Sequence, residues 1–184
     1  MKRAILSAIL PLAASAAILS GSGQPASGAE RDKAFFQSIK GDWVGPGEIV
    51  AGKYKGTKFV CTFVGTTPAR ELGMTLDGGC RVGVFTQKMF ATISQGGAAG
   101  YKGTFMDGAG GAGLDIVSGN VIDGRKVVLA INRNELKGVM QARLPNDDSM
   151  VVTVSVRVDK TMVQVIGMNL KRVDATAVGA IARD

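Results

Sequence analysis

The sequence predicts an all-β protein, folded as a closed or nearly closed antiparallel up-and-down barrel of about eight to ten strands. From Trp43 onward, short runs of alternating apolar and polar residues are separated by Gly, Asn, Asp and Pro, which is typical of strands and turns. No amphipathic helix of useful length interrupts these runs, which argues against alternating strands and helices. A meander of this length is best stabilised by closing on itself, because closure removes the exposed edges.

The first 29 residues have the three parts of a secretory signal peptide. Lys2 and Arg3 precede the apolar residues 4–19, and small residues follow up to a predicted cleavage point after Ala29. The apolar part is shorter than the roughly 20 residues of a membrane span, although an uncleaved N-terminal anchor stays open as the alternative. We therefore expect a bacterial periplasmic or secreted protein, with residues 30–184 as a single β-barrel domain and no membrane span in the mature chain.

A short helical turn is expected before the first strand. Ala34, Phe35 and Ile39 have helical spacing, so this segment is predicted to plug one end of the barrel. The first strand then opens at Gly41-Asp42-Trp43, with the only tryptophan of the chain.

Several later runs have a period of two, which places their apolar residues on one face of a strand. The clearest run contains Val152, Val154, Val156 and Val158. Other runs contain Phe59, Cys61 and Phe63; Val82 and Val84; Met89, Ala91 and Ile93; Tyr101, Gly103 and Phe105; Val127, Leu129 and Ile131; and Leu136, Gly138, Met140, Ala142 and Leu144.

The connections between these runs are also visible. Asp123-Gly124 predicts a tight hairpin, because both turn positions need positive φ. Residues 145–148 are the next turn, and a glycine-rich loop is expected near residues 108–113. Residues 174–184 are expected to form a short helix or a tail.

The chain has two cysteines, Cys61 and Cys80. In an oxidising compartment an even pair is most simply one disulfide, which would contribute roughly 3 kcal/mol by restricting the unfolded chain. A redox role is less well supported, because it usually requires a Cys-x-x-Cys spacing.

The Gly41-Asp42-Trp43 signal, the chain length and a basic residue near the end of the last strand resemble the calycin superfamily, which includes lipocalins and fatty-acid-binding proteins. The resemblance implies a barrel that is closed at one end by Trp43, with the cation of Arg172, or of Lys171 in its place, stacked on the indole.

A weaker resemblance is to the small periplasmic inhibitors of bacterial metalloproteases, which also combine a signal peptide, an early Gly-x-Trp and one disulfide in a barrel. That resemblance implies an inhibitory N-terminal arm near residues 30–40 and a protein partner in the cell envelope.

The composition argues against most catalytic chemistry. The chain contains no histidine, which removes Ser-His and Cys-His nucleophile pairs, His-ligated haem and most zinc sites. We predict no catalytic residue, no metal and no cofactor. Removal of Lys2 and Arg3 lowers the net charge from +7 to +5, and the remaining basic residues form no block. Nucleic acid is therefore not expected as a partner.

The function predicted from these observations is non-enzymatic binding of a small apolar or amphipathic ligand inside the barrel. The candidate lining residues are aromatic: Phe59, Phe63, Phe85, Tyr101 and Phe105. The same residues are also compatible with an ordinary packed core. In a hollow barrel, Arg81, Lys102 or Arg157 near the mouth is a candidate to hold a carboxylate or phosphate head group. The alternative function is a protein-binding module of the cell envelope, such as a periplasmic protease inhibitor.

Overall fold

The computed structural model describes residues 28–106 and 113–173. The predicted tail, almost all of the predicted signal peptide and most of the predicted glycine-rich loop lie outside these ranges. The described ranges contain α1 (Gly28–Ile39), β1 (Gly41–Ile49), β2 (Lys58–Thr66), β3 (Gly73–Val82), β4 (Phe85–Gln95), a 3-10 turn (Gly97–Ala99), β5 (Tyr101–Met106), β6 (Leu114–Ile122), β7 (Lys126–Arg133), β8 (Leu136–Asn146), β9 (Ser149–Val158) and β10 (Thr161–Val173).

The ten strands form one closed antiparallel barrel, as the alternating pattern predicts. Each strand pairs with its neighbours in the chain, and β1 closes the ring by pairing with β10. The closing register joins Trp43 to Arg172 and Gly47 to Met168. Both ends of the sheet are thereby paired, so none of the described strands has a free edge.

The predicted alternation is confirmed along the middle of the strands. Val152 and Val154 on β9 are buried, as are Leu129 and Ile131 on β7. The barrel interior is therefore filled from inward-facing positions of the strands, as the period of two requires.

The hairpin predicted at Asp123-Gly124 is confirmed, with φ of 52° at Asp123 and 71° at Gly124. Asn134 and Asp159 take the same left-handed conformation at two further hairpins. Asn and Asp tolerate this conformation better than other side chains, which explains their use at these turns.

The N-terminal segment forms a longer helix than the predicted turn. α1 has 12 residues and buries Phe35, Phe36 and Ile39 against the barrel. Its C-terminal end leads directly into β1 through Lys40, so the helix covers the barrel end at which β1 begins. Within the described ranges, no helix combines the length and the apolar character that crossing a bilayer requires.

The predicted disulfide between Cys61 and Cys80 is present. The two residues lie directly opposite each other on β2 and β3, and both are buried. Their pairing follows from the barrel register, which brings their inward-facing side chains together.

The expectation that Val82 and Val84 both lie in a strand is confirmed for Val82 and wrong for Val84. Val82 ends β3, Val84 lies in the following turn, and both side chains are exposed. Val158, at the end of β9, is exposed as well. The alternating pattern continues to the end of each strand, but the last residues project beyond the packed interior.

Candidate functional site: an apolar cavity in the barrel

The interior of the barrel contains a cavity of about 70 Å³. Every side chain that lines it is apolar, and five of them are methionines: Met74, Met89, Met140, Met150 and Met168. A cavity of this size exceeds the roughly 10–15 Å³ that one water needs, but it offers a water no polar partner. Such a space suits an apolar guest.

The cavity lies between opposite walls of the barrel and beneath α1. Met74 and Met89 come from β3 and β4, and Met140 and Met150 come from β8 and β9. Ile39 of α1 and Leu170 of β10 also line the cavity. Both of these side chains are almost fully buried, so the helix is part of the cavity wall.

The predicted aromatic residues are divided between several places. Phe63 and Phe105 line the cavity. Phe59 is half-buried and packs against the core. Tyr101 and Phe85 do not line the cavity. Tyr101 is buried under α1, and Phe85 is exposed where β4 begins.

Tyr101 holds α1 on the barrel. Its hydroxyl donates a hydrogen bond of 2.8 Å to a carboxylate oxygen of Asp32, and its ring meets Phe36 edge-on at 4.9 Å between centroids. Burial raises the pKa of the Tyr101 phenol well above its usual range, and the hydrogen bond and negative charge of Asp32 raise it further, while Arg31 acts in the opposite direction. The phenol is therefore a neutral donor that anchors the helix.

Trp43 and Arg172 meet as the calycin resemblance implies. The guanidinium carbon of Arg172 lies 4.3 Å from the centre of the indole, and the Trp43 side chain is fully buried. The Arg172 guanidinium also donates to the backbone oxygens of Ser38, Lys40 and Asp147, at 2.7, 2.6 and 3.0 Å.

Two further contacts complete this end of the barrel. The indole nitrogen of Trp43 donates to the carbonyl oxygen of Ile39 at 2.8 Å. Together with Arg172, it satisfies carbonyls at and just beyond the end of α1 that have no partner within the helix. Lys171 does not replace Arg172, because its ammonium donates to Ser149 at 2.6 Å.

No charged side chain lines the cavity. The predicted candidates for holding a head group are exposed and lie outside the cavity wall: Arg81, Lys102 and Arg157. Among the described residues, no group of three Cys, Asp or Glu side chains is placed to hold a metal ion. A separate, open groove of about 440 Å³ lies outside the barrel, between α1 and residues 67–73, where Gln37 donates to Thr67.

The methionine lining was not identified from the sequence. Met89 and Met140 are on predicted inward faces, so the alternating pattern carried the signal for those two. Met74 is on a strand that also contains Thr75, Asp77 and three glycines, which obscure the alternation of apolar and polar residues. The contribution of Ile39 depends on how α1 docks, which no local pattern specifies.

The chain was compared with known proteins. No protein-family model matches it, and no curated protein matches it. Among solved structures, it is similar to a protein of unknown function from the DUF3598 family of Nostoc punctiforme, with 12% identity and a TM-score of 0.48. The match covers 75% of this chain and 49% of that one, so this chain spans about half the length of that protein.

Proposed function

We propose that this protein is a non-enzymatic binding protein that holds a small, wholly apolar molecule inside its barrel. The observation that carries the proposal is the cavity in the barrel interior, whose wall is apolar throughout. Its volume of about 70 Å³ is well below the roughly 300–1,000 Å³ of pockets for drug-sized ligands, which favours a small guest. An amphipathic ligand is less well supported, because a charged head group would find no partner in this wall.

The methionines support adaptable binding. Methionine is unbranched and flexible, so its side chain fills irregular space and moves more readily than leucine or isoleucine. Five such side chains around one cavity allow the wall to rearrange around guests of different shape. We therefore expect binding of several related apolar molecules.

Two further observations are consistent with an exported ligand carrier. The stack of Arg172 on Trp43 supports the resemblance to the calycins, several of which carry small apolar molecules. The Cys61–Cys80 disulfide supports export to the periplasm or beyond, because disulfides persist in oxidising compartments. We propose export on this basis, together with the signal-like sequence of residues 1–29.

The alternative, a periplasmic protease inhibitor, is less well supported by the N-terminal segment. An inhibitory arm near residues 30–40 has to be accessible, whereas Phe35, Phe36 and Ile39 are buried against the barrel. Deleting this segment is expected to expose the core and to destabilise the fold.

Methyl NMR of protein labelled with 13C at the methionine methyl groups tests the proposal. We expect benzene or short alkanes, added in turn, to shift the signals of Met74, Met89, Met140, Met150 and Met168. Met106 and Met162 are exposed and lie outside the cavity, so they are internal controls whose signals should not move.

A variant that fills the cavity provides the matched test. Ala142 lines the cavity, so Ala142→Leu should lower the affinity at least tenfold. Ala34 is exposed on α1, and Ala34→Leu should leave binding unchanged. The proposal is wrong if no apolar probe shifts the five cavity signals, or if a folded Ala142→Leu protein binds as well as the parent.

A further inference from the structure

Four of the connections within the described residues lie at the end of the barrel away from α1. Because the strands run up and down in chain order, the β1–β2, β3–β4, β7–β8 and β9–β10 connections share this end. We call residues 50–58, 81–88, 133–137 and 157–162 the distal rim.

The distal rim exposes large apolar side chains. Val84 and Phe85 are 88% and 79% exposed at the tip of the β3–β4 hairpin, and Val158 and Met162 are 51% and 41% exposed beside the β9–β10 turn. Tyr54 is 63% exposed in the β1–β2 connection. Nearer α1, the exposed large apolar residues among the described positions are Ile122 and Val64, which pairs with Asp42 at the start of β1.

Basic side chains surround these apolar tips. Exposed examples are Lys53, Lys55, Arg81, Lys88, Arg157 and Lys160. Lys53 also lies over the Tyr54 ring, 5.4 Å from its centre. The nearby acidic residues are fewer: Glu135 and Asp159 at the tips, and Glu48 and Asp115 further along the strands.

The end near α1 has a different character. There Arg125 pairs with Asp147 at 2.9 Å, Arg31 pairs with Asp32 at 3.0 Å, and the Arg172 guanidinium is engaged with backbone carbonyls. Positive charge at that end is thus partly neutralised by acidic partners. The combination of apolar tips and excess positive charge is a property of the distal rim.

We propose that the distal rim docks the barrel onto an anionic lipid bilayer. Apolar and aromatic tips enter the boundary between head groups and acyl chains, while lysine and arginine side chains meet the negative surface. The mixture favours a bilayer, because an acidic protein would match the charge but offer no apolar layer to the tips. This inference concerns the outer surface and does not depend on the proposed cavity ligand.

Vesicle co-sedimentation of the full chain lacking only residues 1–29 tests the proposal. We expect binding to vesicles that contain phosphatidylglycerol, much weaker binding to pure phosphatidylcholine vesicles, and loss of binding as salt is raised. Each basic residue near an anionic surface contributes about fivefold in affinity, so Lys53→Ala with Lys55→Ala should weaken binding by about 25-fold.

Matched variants separate the distal rim from the rest of the surface. Val84→Ser with Phe85→Ser should weaken binding about tenfold or more. Val64→Ser with Ile122→Ser is the apolar control near α1, and Lys33→Ala with Lys102→Ala is the charge control at the same end; neither should change binding. Because all these side chains are exposed, circular dichroism should show the same fold in each.

Phe85→Trp adds a direct readout. Its indole should be quenched by brominated lipid, whereas Trp43 in the parent protein, which is fully buried, should not. Absence of binding to anionic vesicles would overturn the proposal, as would equal losses in the rim and control variants. Binding to polyglutamate without binding to vesicles would also overturn it, in favour of an acidic protein partner.

Discussion

At the scale of single residues, Arg172 connects three parts of the molecule. Its guanidinium stacks on Trp43 of β1, donates to Ser38 and Lys40 at the end of α1, and donates to Asp147 between β8 and β9. A planar fork of several donors can make these contacts together, whereas the compact ammonium of a lysine cannot. This explains why the adjacent Lys171 is no substitute for Arg172.

Tyr101 is the second residue that fixes α1. The ionisation of its phenol makes the stability of the protein depend on pH in the alkaline range. The native phenol keeps its proton above the pH at which the unfolded phenol loses it, near pH 10. Above that pH the unfolded state binds fewer protons than the native state, so the free energy of unfolding falls as the pH rises.

We therefore predict that Tyr101→Phe lowers stability by about 1.5 kcal/mol at pH 7, because it removes a hydrogen bond to a carboxylate. The difference between the parent and the variant should shrink as the pH rises above about 10, where the unfolded phenol loses its proton and the native phenol keeps it. Urea unfolding at each pH, followed by Trp43 fluorescence, measures it. Tyr54→Phe is the control at an exposed tyrosine, and a Tyr101→Phe difference that stays constant with pH would contradict the prediction.

At the scale of elements, the alternating pattern predicts the strands well. It does not predict the position along each strand at which inward-facing side chains cease to be buried. On β9, Val152 and Val154 are buried, yet Val158 continues the same parity and is exposed. Phe85 similarly begins β4 beyond the packed interior. A period of two reports which face a side chain occupies, but the height at which the interior ends depends on the stagger of the whole barrel.

The helix shows the same division between local and tertiary information. Phe35 and Ile39 have helical spacing, so a helical segment was predictable from the sequence. Its contacts with Tyr101 and Arg172 were not predictable, because they join residues 69 and 134 positions apart. The calycin resemblance supplied the pairing of Trp43 with Arg172, which local reasoning could not.

The junction between α1 and β1 depends on Gly41. This residue has φ of 120°, and a Cβ there would lie 2.8 Å from a guanidinium nitrogen of Arg172. We predict that Gly41→Ala lowers stability by about 2–3 kcal/mol, since it combines backbone strain with displacement of Arg172.

Gly52 provides the matched control for Gly41→Ala. Its φ is 87°, but a Cβ there meets nothing within 4 Å, so Gly52→Ala should cost only about 1 kcal/mol of backbone strain. Urea unfolding gives both values. Equal losses in the two variants would show that the contact with Arg172 adds nothing.

At the scale of the whole molecule, closure makes β1 the partner of both β2 and β10. Within the described ranges, a strand can detach from the sheet only if its hydrogen bonds to both neighbouring strands break. We therefore expect the barrel to unfold cooperatively. Closure was predictable from the number of strands. The small central cavity was not, because it depends on the sum of the volumes of side chains from almost every strand.

The disulfide adds a covalent link inside this ring, between neighbouring strands that already share a register. Cys61 and Cys80 are 19 positions apart, and the β2–β3 ladder continues on both sides of them, from Val60–Arg81 to Thr66–Thr75. The bond is therefore expected to stabilise the native state mainly by restricting the unfolded chain, while the ladder alone is enough to hold the native register.

We accordingly predict that Cys61→Ala with Cys80→Ala folds into the same barrel but loses about 3 kcal/mol of unfolding free energy. Alanine is the suitable replacement because both sites are buried and a serine hydroxyl would need a partner there. Trp43 fluorescence should keep its native spectrum in the variant, while the urea midpoint falls. The disulfide of the parent protein should resist reduction by dithiothreitol until the barrel unfolds, because Cys61 is fully buried. A double variant with an altered native spectrum would mean that the disulfide sets the strand register, and a loss below about 1 kcal/mol would mean that the unfolded chain is already compact around this hairpin.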